Sequence, residues 1–147
     1  MIARRAFGLL VVVFAVVPAA HANDASPPRI VAPSHYVVWA DDCRTTLGSW
    51  TDANGLLDGA RVVELRRVAD ADSKLVQAWL SSRALTFQPS DVTVTLVDSL
   101  GLPLRSWELW HAFPLHWSIA YLDAGASPVS LETLDLAHEG LTPVDPC

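Results

Sequence analysis

The sequence predicts a mainly β protein, an antiparallel β-barrel or sandwich of about six or seven strands with one flanking α-helix. Short segments rich in valine, threonine and aromatic residues recur along the chain with turn residues between them. Only one segment has apolar residues at helical spacing, and strands and helices do not alternate as they do in parallel sheets. About half of the 147 residues are apolar and 18% are charged, which favours a packed core over disorder.

The first 22 residues have the order of a secretory signal. Arg4 and Arg5 precede an apolar run at residues 7–17, and Ala20-His21-Ala22 is typical of a cleavage site. The alternative is a membrane anchor, but a run of 11 residues is shorter than the roughly 20 that a helix needs to cross a bilayer. We therefore expect a signal peptide at 1–22, no stable membrane span, and an exported protein, periplasmic or secreted.

The amino-terminal part of the remaining chain predicts an extended leader and three strands. Residues 23–34 hold three prolines and form the leader. Strands are expected at 35–40, at 48–51 and at 61–67 because of their valine, tyrosine and tryptophan content or their alternation. The turn pairs Asn-Gly and Asp-Gly predict a loop at 52–60.

Residues 72–82 predict the helix. Four apolar side chains recur there at helical spacing and form one stripe: Leu75, Val76, Trp79 and Leu80. Asp70 or Asp72 precedes this stripe and is expected to cap the amino end, where a negative charge suits the helix dipole.

The carboxyl half predicts four more strands. Alternation of threonine with valine and leucine at 91–98 is typical of a half-buried strand. The expected elements that follow are a hairpin turn at 99–103, strands at 104–111 and 115–122, a turn at 123–128 and a strand at 129–136. The predicted β domain therefore spans 35–147.

Charge argues against nucleic acid as a partner. The formal net charge is −6, and removal of the two leader arginines changes it to −8. An acidic chain with eight basic residues against sixteen acidic ones is a poor candidate for tight nucleic-acid binding.

The two cysteines, Cys43 and Cys147, both remain after cleavage of the leader. In an oxidising compartment they can form a disulfide within the chain or between subunits, and the sequence alone leaves both arrangements open. Their separation, without a CxxC pair or a histidine at ligand spacing, argues against a zinc site.

The remaining candidates for chemistry are histidines and paired acids, and none forms a recognised site. His111 and His116 are five residues apart, a spacing that puts them on opposite faces of a continuous strand unless Pro114 bends the chain. His138-Glu139 lacks the second histidine of a zinc signature.

Asp41-Asp42 is better explained by a turn than by a catalytic pair, because neighbouring strand residues point to opposite faces. The chain also has no GxSxG motif and no Gly-rich phosphate loop. We therefore predict no enzyme, and no catalytic, cofactor-binding or metal-ligating residues.

The carboxyl half resembles bacteriophage tail tube proteins and, equally, the inner-tube subunits of contractile injection systems. The segment that resembles them begins DVTVTLVDSLGLPLRSWELWHAFPLHWS and continues with LDAGASPVSLETLDLAHEGL. The matching positions are Gly101, Pro103, Arg105, Trp107, Ala112, Pro114, Trp117, Glu132, Thr133, Leu134, Leu136, Ala137, His138, Glu139 and Gly140. Similarity extends over 62–142, through VVELRRVADADSKLVQAWLSS, and more loosely over 35–56.

The resemblance implies a structural subunit that forms rings, expected to be hexamers, which stack into a hollow tube. Sheath, baseplate or spike proteins are then the expected partners, and a phage tail or a cytoplasmic assembly is the expected location if the leader is not a signal. The chain departs from the family by its leader and by a short connection at residues 57–61. The alternative function is an exported β-domain of the same fold that acts as a binding or cell-envelope module.

Overall fold

The structure is a computed structural model that describes residues 35–83, 88–122 and 129–147. The predicted signal, the predicted leader and the turn predicted at 123–128 lie outside these residues. The described residues form eight strands and one helix: β1 His35–Ala40, β2 Thr45–Trp50, β3 Asp52–Asn54, β4 Val62–Val68, α1 Ser73–Arg83, β5 Ser90–Val97, β6 Pro103–Leu122, β7 Val129–Ala137 and β8 Gly140–Val144. The predicted class, mainly antiparallel β with one helix, is confirmed.

The strands form an antiparallel sheet that returns on itself. Its order is β2-β1-β5-β6-β7-β4-β3, with β8 paired to β6 beside this path. The two ends of the path, β2 and β3, are separated in the chain by Thr51 alone. The Thr51 N–H donates to the Arg66 carbonyl at 2.8 Å, so the bent segment from β2 to β3 joins β1 to β4. The arrangement is therefore barrel-like.

The longest strand, β6, corrects the prediction of two separate strands at 104–111 and 115–122. Its first half pairs with β5 and its second half with β7, across a register shift between Pro114 and His116. The β5 pairing ends at Ala112, so beyond that residue only one edge of β6 is paired among the described residues. A proline is tolerated at such an edge or bulge because its missing N–H leaves no ladder bond unmade.

Three further elements differ from the prediction. The segment expected to be a loop at 52–60 contains the short strand β3, and β2 begins three residues earlier than expected, at Thr45. The strand β8 was not predicted, because GLTPV is short and contains a proline. The strand β8 pairs with the same edge of β6 as β7 does, because the pairs Phe113↔Ala137 and Trp110↔Gly140 follow one register.

The core fills the interior of the barrel with alternating side chains from β4, β5 and β7. Val63 and Leu65 on β4 are paired with Leu136 and Leu134 on β7, and all four are fully buried. Cross-strand partners lie on the same face of a sheet, so this face is the inner one.

Helix α1 covers the barrel beside β2, within one residue of its predicted bounds. Val76 and Trp79 are buried, and Leu80 is partly buried against the same core cluster, which includes Trp107. Of the two aspartates expected to cap the helix, Asp70 accepts the Asp72 N–H at 2.8 Å, which fixes the turn that precedes the helix. In the part of the chain that the structure describes, no helix has the length and apolar character needed to span a membrane.

Candidate functional site

A buried ion pair joins β4 to β7 inside the barrel. Arg67 Nε donates to Glu132 Oε1 at 2.7 Å, and both side chains are shielded from solvent. Ser73 Oγ donates to the same oxygen at 2.5 Å, and Trp117 Nε1 donates to Glu132 Oε2 at 2.9 Å. Burial by itself raises the pKa of Glu132, but the hydrogen bonds from Arg67, Ser73 and Trp117 outweigh it and hold the pKa below its ordinary value.

The guanidinium of Arg67 also connects β2 and the start of α1. Its Nη1 donates to the carbonyls of Leu47 and Ser49 at 3.1 Å each, its Nη2 donates to the Asp72 carbonyl at 3.0 Å, and the group stacks 3.9 Å from the Trp50 ring centre. These contacts join β2, β4, β7 and the start of α1, so this cluster holds elements of the fold together. This cluster was not predicted from the sequence, although Arg67 continues the inward alternation of β4, which was a usable signal.

The histidines have acidic partners that the sequence spacing did not reveal. His111 Nδ1 contacts Glu139 Oε2, and His116 Nδ1 lies 4.0 Å from Asp135 Oδ2. The spacing of residues in the sequence did not indicate these contacts, because antiparallel pairing of β6 with β7 and β8 brings distant residues together.

Each imidazole nevertheless has a separate environment. His138 Nε2 donates to the Ala60 carbonyl at 2.7 Å, away from the carboxylate pairs of His111 and His116. Within residues 35–83, 88–122 and 129–147, no three histidine, cysteine, aspartate or glutamate side chains are placed to hold one metal ion.

Asp41 and Asp42 lie in the turn between β1 and β2, as predicted. Asp41 forms an ion pair with Arg83 and accepts hydrogen bonds from Ser90 Oγ at 2.8 Å and Thr45 Oγ1 at 3.0 Å. The turn is therefore fixed to the end of α1 and to β5.

The structure pairs the two cysteines within the chain. Cys43, in the same turn, forms a disulfide with Cys147, and their Cα atoms are 5.6 Å apart. Of the two arrangements that the sequence left open, the structure contains the intramolecular one.

The second half of β6 is the candidate site for recognition of another chain. Residues 113–122 pair with β7 along one edge, and along the other edge they have no strand partner in the described residues. On the inner face, Ile119 is paired with the buried Glu132. Ile119 and Tyr121 are nevertheless 46% and 67% exposed, so this inner face continues beyond the part that the core covers.

An edge of this kind is suited to strand addition. Its backbone N–H and C=O groups are available to a further strand, and apolar side chains beside them provide area to bury. Other exposed apolar residues of β6 are Leu104, Trp110, Phe113 and Leu115. The geometry therefore supports assembly with another polypeptide.

Comparison with a protein family gives a match over most of the barrel. The family model described as "T4-like virus tail tube protein gp19" matches residues 60–142, which is more than half of the chain. This stretch begins just before β4 and ends inside β8. No curated protein matches the sequence.

Three solved structures share the fold. A chain in the cryo-EM structure of the anti-feeding prophage (AFP) baseplate, 6-fold symmetrised, is 20% identical with a TM-score of 0.53, over 82% of this chain and 97% of that chain. A chain of the extracellular contractile injection system PVC, from its sheath–tube complex in the extended state, is 16% identical with a TM-score of 0.56, over 85% and 97%. A chain of the AFP tube-terminating cap is 17% identical with a TM-score of 0.56, over 90% and 100%.

Proposed function

The chain belongs to the family of T4-like virus tail tube proteins, and from that premise we propose that copies of it associate into six-membered rings that stack as a tube. The family is a structural one, so the role assigned to the chain is that of a tube-like subunit. The edge of β6 at residues 113–122, which has exposed apolar side chains and no strand partner among the described residues, is the observation that carries the proposal.

The free edge fits a head-to-tail contact between copies. A contact between two different surfaces of the same subunit repeats around a ring and closes if the rotation allows it. The other edge strand, β8, differs from the β6 edge because it contains Pro143, which lacks a backbone N–H. Proline on an edge discourages strand addition, so the two edges are unlike.

The proposed partners follow from the proteins that share the fold. The solved structures come from a sheath–tube complex, a baseplate and a tube-terminating cap. On this basis we propose sheath and baseplate proteins as the partners of this subunit. The six-fold symmetry of the baseplate structure supports six as the number of subunits in a ring.

The proposed role needs no enzyme activity, metal or cofactor. The conspicuous polar groups of the described residues are held by protein contacts: Glu132 by Arg67, Asp41 by Arg83, and His111 by Glu139. These contacts support a structural use of the residues.

A second candidate function is an exported β-domain that binds a ligand or acts in the cell envelope. The Cys43–Cys147 disulfide fits an exported location for this domain, since disulfides persist in oxidising compartments such as the periplasm. The signal-like leader at residues 1–22 points to the same compartment. Export and ring formation are compatible, so only the state of assembly separates the two functions.

The test is a pair of matched substitutions in the mature chain, residues 23–147. Ile119→Lys places a charge beside the free edge of β6, whereas Leu100→Lys places the same charge on the 81% exposed turn between β5 and β6. We expect Ile119→Lys to shift the protein from rings to monomers in light scattering and negative-stain microscopy, and Leu100→Lys to leave the rings intact. A wild-type protein that is monomeric at every concentration would contradict ring assembly and favour the binding module.

A further inference from the structure

The strand β8 is the most weakly held strand of the carboxyl half. None of its five residues is fully buried, and its ladder with β6 covers only the pairs from Ser106↔Val144 to Trp110↔Gly140. Leu141 is its one residue that packs, partly buried, against the core cluster. A strand with so little burial has a low free energy of local opening.

A covalent bond compensates for this weak packing. Three residues after β8, Cys147 is joined to Cys43, across 104 residues of sequence. Both cysteines are exposed, so a reductant in solution can reach them. Both also lie outside residues 60–142, the stretch that matches the family, so the bond joins two parts of the chain that the match does not cover.

The turn at the other end of the disulfide is firmly anchored. Asp41, Asp42 and Cys43 have positive φ angles of 55°, 59° and 65°, a conformation that costs energy in residues with a Cβ and that persists only when contacts enforce it. The side-chain contacts of Asp41 with Arg83 and Ser90 provide such enforcement. The disulfide therefore connects the weakly packed β8 to a turn that other contacts hold in place.

We propose that the Cys43–Cys147 disulfide is a redox lock on β8. In the oxidised protein the bond keeps β8 on β6; after reduction β8 leaves, and the edge of β6 at residues 106–110 becomes free. The reductant is a dithiol: one thiolate attacks a sulfur of the disulfide, the S–S bond breaks, and the second thiol resolves the mixed disulfide. Two electrons and two protons pass to Cys43 and Cys147, which become thiols, while the dithiol becomes a disulfide.

The consequence is a change in the edges that the subunit offers. With β8 in place, residues 106–109 of β6 are paired on both sides, by β5 and by β8. Without β8, one side of this segment presents unpaired backbone groups, which are a template for a further strand. Release of β8 takes place within the single chain and does not depend on ring formation.

The test is hydrogen exchange of the mature chain, oxidised and after treatment with dithiothreitol. We expect reduction to speed amide exchange about tenfold or more in residues 140–144 and in those amides of 106–110 that β5 does not hold. Peptides from β4, β5 and β7 serve as internal controls and are expected to exchange at unchanged rates. The double variant Cys43→Ser/Cys147→Ser is expected to show the fast exchange with or without dithiothreitol.

Two results would overturn the lock. If residues 140–144 stay equally protected after reduction, noncovalent packing holds β8 and the disulfide controls nothing. If β4, β5 and β7 lose protection together with β8, the disulfide maintains the whole fold and does not act on one strand.

Discussion

At the scale of single residues, the interior of the barrel contains a charge that is fully satisfied by its neighbours. Arg67 uses its nitrogen atoms on Glu132, on backbone carbonyls of β2 and on the Asp72 carbonyl, and it stacks on Trp50. Removing one partner of a buried pair leaves the other charge uncompensated, which is far more costly than the loss of an exposed pair.

Glu132→Gln is predicted to lower the free energy of unfolding by about 3–5 kcal/mol, because Arg67 stays buried without its counter-charge. The matched control is Glu64→Gln, which removes the exposed pair of Glu64 with Arg66, 2.7 Å apart, and is expected to cost less than about 1 kcal/mol. Urea unfolding of both variants provides the comparison. Equal losses would mean that the buried pair contributes no more than a surface pair.

The same carboxylate predicts a pH dependence of stability. The folded-state pKa of Glu132 is lowered, so its contribution is fully present above the unfolded pKa and is lost as the pH falls through the folded pKa. Stability of the wild type is therefore expected to fall below about pH 4, and Glu132→Gln is expected to flatten that part of the curve. Thermal unfolding between neutral and acidic pH measures both slopes, and parallel curves would contradict the assignment.

Trp79 provides a second test within the core. The side chain is 2% exposed, and its Nε1 has no hydrogen-bond partner in the described part of the chain. Trp79→Ala is predicted to cost about 3–5 kcal/mol through the cavity it leaves. Trp79→Phe keeps an aromatic ring there and is expected to cost clearly less. A loss below about 1 kcal/mol for the alanine variant in urea unfolding would show that the α1 interface is not part of the core.

At the scale of elements, periodicity located most strands and the helix but did not determine how the strands connect. The helix and β5 were predicted to within one residue, since their spacing is local information. The sequence did not predict that β6 continues through Pro114. A proline is tolerated there because the pairing with β5 has already ended, and where that pairing ends is decided by the tertiary structure. The same reason applies to β8, whose place is set by the register of β7.

The candidate site shows the same division. The sequence located His111, His116 and His138 on or beside strands, but it did not predict that His111 contacts Glu139. That pair and the Arg67–Glu132 pair join residues 28 and 65 positions apart, and separations of this size carry no pattern in the sequence. The spacing of residues in the sequence could not predict the unpaired edge of β6 either, because that edge begins where the pairing with β5 ends.

Two glycines allow the cost of a strained backbone to be compared with the cost of a steric clash. Gly48 in β2 and Gly101 in the turn before β6 both have a φ of +82°, so alanine is strained at either position. A Cβ at Gly48 would lie 2.6 Å from Asp72 Oδ2 and 2.8 Å from Arg67 Nη1, whereas a Cβ at Gly101 meets nothing within 4 Å. Gly101→Ala is predicted to cost about 1–3 kcal/mol.

Gly48→Ala is expected to cost more than this in denaturant unfolding, because it also displaces Arg67. Equal costs for the two variants would mean that the cluster around Arg67 moves aside freely.

At the scale of the whole molecule, the barrel consists of a body that matches the family and a disulfide whose two cysteines lie outside the matching residues. Residues 60–142 include β4 to β7 and the helix, which hold the buried pair and the free edge of β6. The disulfide joins the turn after β1 to the last residue of the chain. We propose an exported subunit because the body belongs to the tail tube family and because disulfides persist in oxidising compartments.

Export is predicted to leave a mature chain that begins at Asn23. The leader has two arginines, an apolar run of 11 residues and the sequence Ala20-His21-Ala22. Amino-terminal sequencing after expression in a bacterium, with separation of periplasm from cytoplasm, checks the start and the location. An intact Met1 on protein recovered from the cytoplasm would show that the leader is not a signal.

Assembly of the mature chain is predicted to depend on salt and concentration. Without residues 1–22 the chain has sixteen acidic and eight basic residues, so each copy has a formal net charge of −8. Like charges repel neighbouring copies, and salt screens this repulsion over a Debye length of about 8–10 Å near physiological strength. The resemblance to the family implies that the connection at residues 57–61 is shortened, which limits the area that a neighbour can bury, and a contact below roughly 1,000 Å² is usually weak.

We therefore expect monomers at low salt and micromolar concentration, and rings as either rises, with long tubes rare. Light scattering across a series of sodium chloride concentrations, together with negative-stain microscopy, measures this. If the rings dissociate as the salt concentration rises, repulsion between the copies does not limit assembly. That result would indicate that ion pairs across the contact hold the copies together.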